Sequence, residues 1–205
     1  MAGQRPGVHL NDKGHRQAQG LVCQLAAAPI KAIYSSPLER ALETARPLAQ
    51  FLNQEIQIKP GLIELNYGNW VGKSFGQLRR YKVWKLIYEK PEEVRFPGGE
   101  TFIEVQQRAC AEIDGIAAAH EKQDLVAVFT HADVIRLVVT HYLDMPLIGF
   151  HKFMIEPASI TILVLNEGKA RLPKLNQSAS FVWPEPSKKR VQRAKPDEKE
   201  KVKTV

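Results

Sequence analysis

Cysteine is scarce in this sequence, with two in 205 residues, Cys23 and Cys110. They form no CxxC pair and sit in segments that read as helices. A disulfide scaffold is therefore excluded, and both are expected to be reduced thiols of a cytosolic, cytoplasmic protein. No run long enough to cross a membrane is free of ionisable groups. The longest apolar stretch, Leu125 to Leu143, carries His131, Asp133, Arg136 and His141, so no membrane span and no membrane partner is expected. The first residues lack a basic-then-apolar pattern, and no secretory leader is read there. No internal repeat is present. No His/Cys spacing suits zinc and no carboxylate cluster suits magnesium, so no metal and no other cofactor is expected.

What is present is an ordinary soluble composition, 44% hydrophobic and 25% charged. The formal net charge of +7 is unevenly placed. Ser187 to Val205 holds eight basic and three acidic residues, hence +5 of the +7, and almost nothing apolar. The chain thus divides into one domain, residues 1–178, and a basic tail, residues 179–205, that is expected to be disordered. A solvated extension is the simpler reading of that tail. A tether to nucleic acid or to an anionic surface is the alternative, but no aromatic residue is interleaved after Trp183 to stack on bases. Nucleic acid is accordingly not expected as a partner.

Strand and helix patterns alternate. Asn11 or Asp12 can cap a helix through 13–28, closed by Pro29. A short strand, Lys31 to Ser36, runs into a helix through 36–52 with Ser36 as N-cap, Pro37 as first helical residue and Glu39 as capping-box partner. A short strand over 54–60 precedes an irregular, glycine-punctuated stretch, 61–72. Helical pieces are expected over 75–90, and a capping box of Thr101 and Glu104 opens a helix to about Ala119. The segment 125–131 reads as a buried strand, 132–143 as a helix, 158–166 as a strand and 169–175 as a last strand. This alternation predicts an α/β fold, a three-layer α/β/α sandwich with a mostly parallel sheet. Such sheets bind ligands beyond the carboxyl ends of their strands.

Two strand-to-helix junctions place polar groups beside a helix N-terminus, where backbone N–H groups and the helix dipole favour an anion. These are IYSSPLER (33–40) and VFTHADVI (128–135). Arg40, one turn into its helix, can reach back and bind phosphate oxygens bidentately; on local grounds alone, pairing on the surface with Glu39 or Glu43 is the favoured reading. Glu64 lies between apolar neighbours and an aromatic, glycine-rich loop. Partial desolvation there would raise its pKa and suit a general acid; on local grounds alone, a water-facing carboxylate at a strand edge is the favoured reading. His131 is the strongest candidate, because a buried strand ends on it and a helix starts after it. His9, His15, His120, His141 and His151 lack such a setting and read as helix-surface, loop or core histidines.

Taken in order, LNDKGHRQAQGL, IYSSPLERALETARPLA, IELNYGNWVG, FPGGETF and VFTHADVIRLVVTHYLDMP resemble the histidine phosphatase superfamily, also called phosphoglycerate mutase-like, over about residues 5–165. The short phosphatase and phosphomutase branch is the nearer resemblance, since the segment between Glu64 and His131 is too short for the longer mutases. The resemblance implies a phosphomonoester hydrolase or phosphomutase with a small phosphorylated substrate. It implies that Arg40 binds phosphate, that Glu64 protonates the leaving oxygen, and that His131 binds and stabilises the transferring phosphoryl group. The family usually has Gly after that histidine, and this chain has Ala132. The resemblance places specificity in loops around the pocket, here 65–84, whose tryptophans and arginines could suit a sugar phosphate, a phosphoglycerate or a nucleotide-like ester.

One motif of the family is missing. Its nucleophile is a histidine in an Arg-His-Gly motif at the end of the first strand, and the sequence contains no Arg-His-Gly. Nothing before Arg5 reads as a strand. The first strand, the nucleophile and a neighbouring phosphate-binding arginine are thus expected to be absent, and neither His9 nor His15 fits the motif. A late assigned start, with Met1 internal to a longer protein, is the favoured explanation. The alternative is an inactive pseudoenzyme that binds a phosphorylated ligand or a partner. The chain as it stands is expected to be inactive.

Overall fold

The computed structural model describes residues 1–166 and 169–178; the basic tail lies outside the described residues. The helices are α1 (Asp12–Leu25), α2 (Glu39–Leu52), α3 (Phe75–Leu78), α4 (Lys82–Glu89), α5 (Phe102–Ala118) and α6 (Ala132–Tyr142), and the strands are β1 (Ile30–Ser35), β2 (Ile56–Ile58), β3 (Leu125–Phe129), β4 (Ile160–Asn166) and β5 (Lys169–Gln177). The order is the alternation that the sequence pattern predicts. Asn11 caps α1 by accepting from the Gly14 N–H at 2.9 Å, and Thr101 and Glu104 form the reciprocal capping box of α5.

β1 lies between β2 and β3 in a parallel sheet of order β2-β1-β3. Side chains alternate between its faces, as a strand period of two requires. Ile33, Ala127 and Phe129 pack with Ala45, Leu48 and Ala49 of α2. Ala32, Tyr34, Val126 and Val128 pack with Ile113 and Ile116 of α5. The sheet therefore has helices on both faces, and all three strands point their carboxyl ends the same way. β4 and β5 form a separate antiparallel hairpin, whose Leu163 packs on the main aromatic core. Among the described residues β3 has a ladder partner only in β1, and β4 only in β5. Although β3 is apolar throughout, Leu125 remains 39% exposed and the other four residues are only partly buried.

The main core is aromatic. Phe96 meets Tyr67, Trp70 and Phe102 edge-on at centroid distances of 5.2, 5.2 and 5.4 Å, contacts worth about 0.5–1.5 kcal/mol each beyond their buried area. This core anchors the irregular stretch 64–70 against the loop 95–100. The Asn69 N–H donates to the Pro97 carbonyl at 2.8 Å and the Glu100 N–H to the Asn66 carbonyl at 2.9 Å. Gly68 makes that approach feasible. Its φ is +51°, and a Cβ there would fall 2.2 Å from the Pro97 carbonyl oxygen. Gly68→Ala should therefore lower stability by about 1–3 kcal/mol, read as a drop in urea midpoint. An unchanged midpoint would show that the two loops can separate at no cost.

Candidate active site

α2 begins later than its sequence signals indicate. The helix starts at Glu39 with Leu38 as N-cap and no side-chain cap. Ser36 is not the cap because its hydroxyl is engaged elsewhere. Its Oγ lies 2.7 Å from His131 Nε2, and its contact with the Leu38 N–H is long, 3.4 Å. Glu39 accepts from the Gly7 N–H at 3.0 Å instead of closing a capping box. The two polar junctions seen in the sequence are thus tied together across the carboxyl ends of adjacent strands, with the Ser36 N–H also donating to the Phe129 carbonyl at 2.9 Å.

His131 is the N-cap residue of α6 and is buried, 7% exposed. Burial first, then the positive charges of Arg40 and Arg108, lower its pKa to about 3. The imidazole is therefore neutral at physiological pH in the resting protein. Arg40 is half-buried. Its Nη2 donates to the Gly3 carbonyl at 2.8 Å, while its Nη1 is buried and has no hydrogen-bond partner. Burial lowers the Arg40 pKa, and Glu64, Glu39 and Tyr67 oppose that shift. A guanidinium with an unpartnered buried nitrogen, facing a neutral histidine, is suited to receive an anion.

Glu64 is held by its backbone more than by any ladder. Arg108 of α5 donates through Nη1 to the carbonyls of Gly61 and Ile63, at 2.7 and 2.8 Å, and through Nη2 to that of Glu64 at 3.1 Å. The Arg108 fork is itself fixed by Glu100, at 2.7 and 3.0 Å. Thr130 Oγ1 donates to the Leu62 carbonyl at 2.7 Å, which ties the same segment to the end of β3. The Gln4 side chain donates to the Glu64 carbonyl, also at 2.7 Å. The residue keeps part of its surface accessible, whereas its carboxyl is crowded by protein on most sides. That burial, and then the negative charge of Asp133, raise its pKa to about 8 against the opposing Leu65 N–H, Arg40 and Arg108. The shift favours the protonated form of Glu64 near neutral pH, the form a proton donor needs.

The three sequence candidates therefore meet at one place, close enough for Arg40 to perturb both Glu64 and His131. Ser36, Tyr67, Arg108, Asp133 and the N-terminal residues Gly3 and Gln4 join them without having been singled out. Asp133 and Ser36 stood in the two junctions already marked, but Arg108 looks like any helix arginine. In the loop 65–84, Trp70 is 1% exposed within the aromatic core, and the partly buried Trp84 packs against it. Three other histidines have structural partners: His9 with Glu43 at 2.6 Å, His120 with the Tyr34 hydroxyl at 2.8 Å, and His151 with the Ile87 carbonyl. Two surface hollows lie elsewhere, beside Arg46 and Gln50 and beside Lys13 and Arg16. Among the described residues no group of three or more His, Cys, Asp or Glu side chains could hold a metal ion, and no helix is long and apolar enough to cross a membrane.

A parallel sheet carrying an arginine, a histidine of lowered pKa and a glutamate of raised pKa beyond its strand ends can receive an anion there. Residues 1–178 match the histidine phosphatase superfamily, branch 1, and the chain belongs to that family. It is 29% identical over 169 residues to phosphoserine phosphatase 1 of Hydrogenobacter thermophilus, covering 82% of this chain and 80% of the relative. It is 27% identical over 161 residues to the 2,3-bisphosphoglycerate-dependent phosphoglycerate mutase of Thermoplasma acidophilum, covering 78% and 76%. Among solved structures, Bacillus stearothermophilus YhfR superposes with a TM-score of 0.80 at 27% identity, covering 87% of this chain and 89% of that one. The chain thus shares the fold of that solved structure.

Proposed function

We propose that this protein transfers the phosphoryl group of a small phosphomonoester through a phosphohistidine intermediate. The observation that carries the reading is the convergence of Arg40, His131 and Glu64 in complementary charge states: a guanidinium nitrogen unpartnered, an imidazole neutral, a carboxyl protonated. A histidine nitrogen attacks phosphorus in line, forming an N–P bond as the ester P–O bond breaks. Arg40 and His131 hold the phosphoryl oxygens while their charge redistributes. Glu64 gives its proton to the departing alkoxide, which leaves as the alcohol. In the second step Glu64, now a carboxylate, takes a proton from an attacking water or acceptor alcohol, and the N–P bond breaks. Water as acceptor makes the protein a phosphatase and an alcohol makes it a mutase; relatives of both kinds match.

None of the six histidines of the sequence stands in an Arg-His-Gly motif. We place the nucleophile on a strand paired with the free edge of β3. The partial exposure of that apolar strand, which has a ladder partner only in β1 among the described residues, supports an open edge there. A phospho-ligand-binding protein without turnover is the alternative.

The test is phosphate release from a panel of monoesters, with pH as the variable. A form carrying the nucleophile should turn over metal-free, and its rate should fall on the alkaline side as Glu64 loses its proton near pH 8. Saturable binding of esters without release in that same form would favour the binding protein.

A further inference from the structure

Asp133 is the one carboxylate beside Glu64 that the transfer scheme leaves without a task. It stands in the first turn of α6, two residues after His131. Both of its oxygens are claimed. The Tyr67 hydroxyl donates to Oδ2, and Arg136 Nη1 donates to Oδ1 at 3.0 Å. Tyr67 is 7% exposed and follows Glu64 by three residues in the loop that Arg108 clamps. The Arg136 guanidinium has a buried Nε without a partner, and its Nη1 bond to Asp133 orients it.

We infer that Asp133, bonded to both Tyr67 and Arg136, is a positioning residue that ties the loop carrying Glu64 to the helix carrying His131 and sets a negative charge beside the site. This rests on the phosphoryl-transfer reading only for its catalytic consequence. The groups facing the Glu64 carboxyl are Arg40 from α2, Arg108 from α5, Asp133 from α6, and the Leu65 N–H and Tyr67 from its own loop. Arg40 and Arg108 both favour the carboxylate; Asp133 is the negative charge that opposes them. Tyr67 in turn is held as the neutral phenol, chiefly by burial and by Asp133, so it donates to Asp133 and does not compete for the Glu64 proton. The result is a carboxyl that stays loaded despite two arginines. Its proton becomes available when an incoming phosphoryl dianion engages Arg40 and an alkoxide begins to form.

The experiment is a carbon-13 NMR titration of glutamate-labelled full chain, with Glu64→Gln identifying the resonance. Asp133→Asn keeps the shape and removes the charge, and should lower the Glu64 midpoint by about one pH unit, tenfold in proton affinity. Arg136→Gln removes the cation that partly neutralises Asp133 and should move the midpoint up. Tyr67→Phe leaves the charge in place and should not move it down. If Asp133→Asn proves too unstable to titrate, the upward shift in Arg136→Gln carries the test. A midpoint unmoved in both Asp133→Asn and Arg136→Gln, or a downward shift in all three variants, overturns the inference. In a form that turns over, Asp133→Asn should lower kcat at pH 8 while KM holds; a rise in KM alone would assign Asp133 to substrate binding and equally overturn it. Because the titration reads the resting protein, absence of turnover counts against the transfer reading without touching this one.

Discussion

Arg40→Ala will weaken the binding of inorganic phosphate by about 10- to 100-fold. A hydrogen bond to a charged partner contributes about 1.5–3 kcal/mol, and every 1.4 kcal/mol or so is a factor of ten. The effect should be at the upper end, because Arg40 is half-buried and is therefore only partly screened by salt. Arg40→Lys will recover only part of it, since a point charge replaces a planar fork. Isothermal titration of the full chain measures both, and requires no nucleophile. Equal phosphate affinity in wild type and Arg40→Ala would show that the unpartnered Nη1 is not aimed at an anion.

Glu64→Gln should have the largest effect on turnover, and a selective one. General acid catalysis contributes about 100- to 10,000-fold, but only where the leaving group needs a proton. Alkyl phosphates should lose activity by that factor in a form of the protein that carries the nucleophilic histidine. Nitrophenyl phosphate, whose leaving group is a stable anion, should lose far less. The two substrates together separate proton donation from damage to the fold, since a disturbed site would slow both alike. Equal losses on both would remove Glu64 from the role of acid.

Arg40, Glu64 and His131 were legible in the sequence, on different grounds. Arg40 and His131 lie at or just beyond the point where an apolar strand hands over to a helix, and Glu64 sits where an apolar segment gives way to a glycine-punctuated loop. Local pattern alone marks His131, whereas Arg40 and Glu64 stand out only through the family resemblance. The parallel sheet with helices on both faces was legible from local pattern, since alternating periods of two and 3.6 dictate it. Arg108 was not, because its value lies in three carbonyls 44 to 47 residues earlier in the chain, and a helix arginine gives no local sign of such partners. Ser36 was read as a cap because serine before proline and glutamate is a strong start signal. The tertiary partner His131 outbid the helix for its hydroxyl. Asp133 was visible as a charge in an apolar run, but its meaning depends on Tyr67, which arrives from a loop that only the aromatic core positions.

The edge of β3 that lacks a ladder partner among the described residues bears most directly on mechanism. A site that binds phosphate but lacks its nucleophile would be a receptor, whereas one completed by a strand along β3 is a catalyst. The decisive measurement is a rapid acid-free quench of the protein isolated from its native cells, mixed with a phosphomonoester, followed by mass spectrometry of its peptides. Phosphate on a histidine within an Arg-His-Gly peptide, with His131 unmodified, is the predicted result. Phosphate on His131 or His9, or no phosphorylated peptide while substrate is consumed, would contradict it.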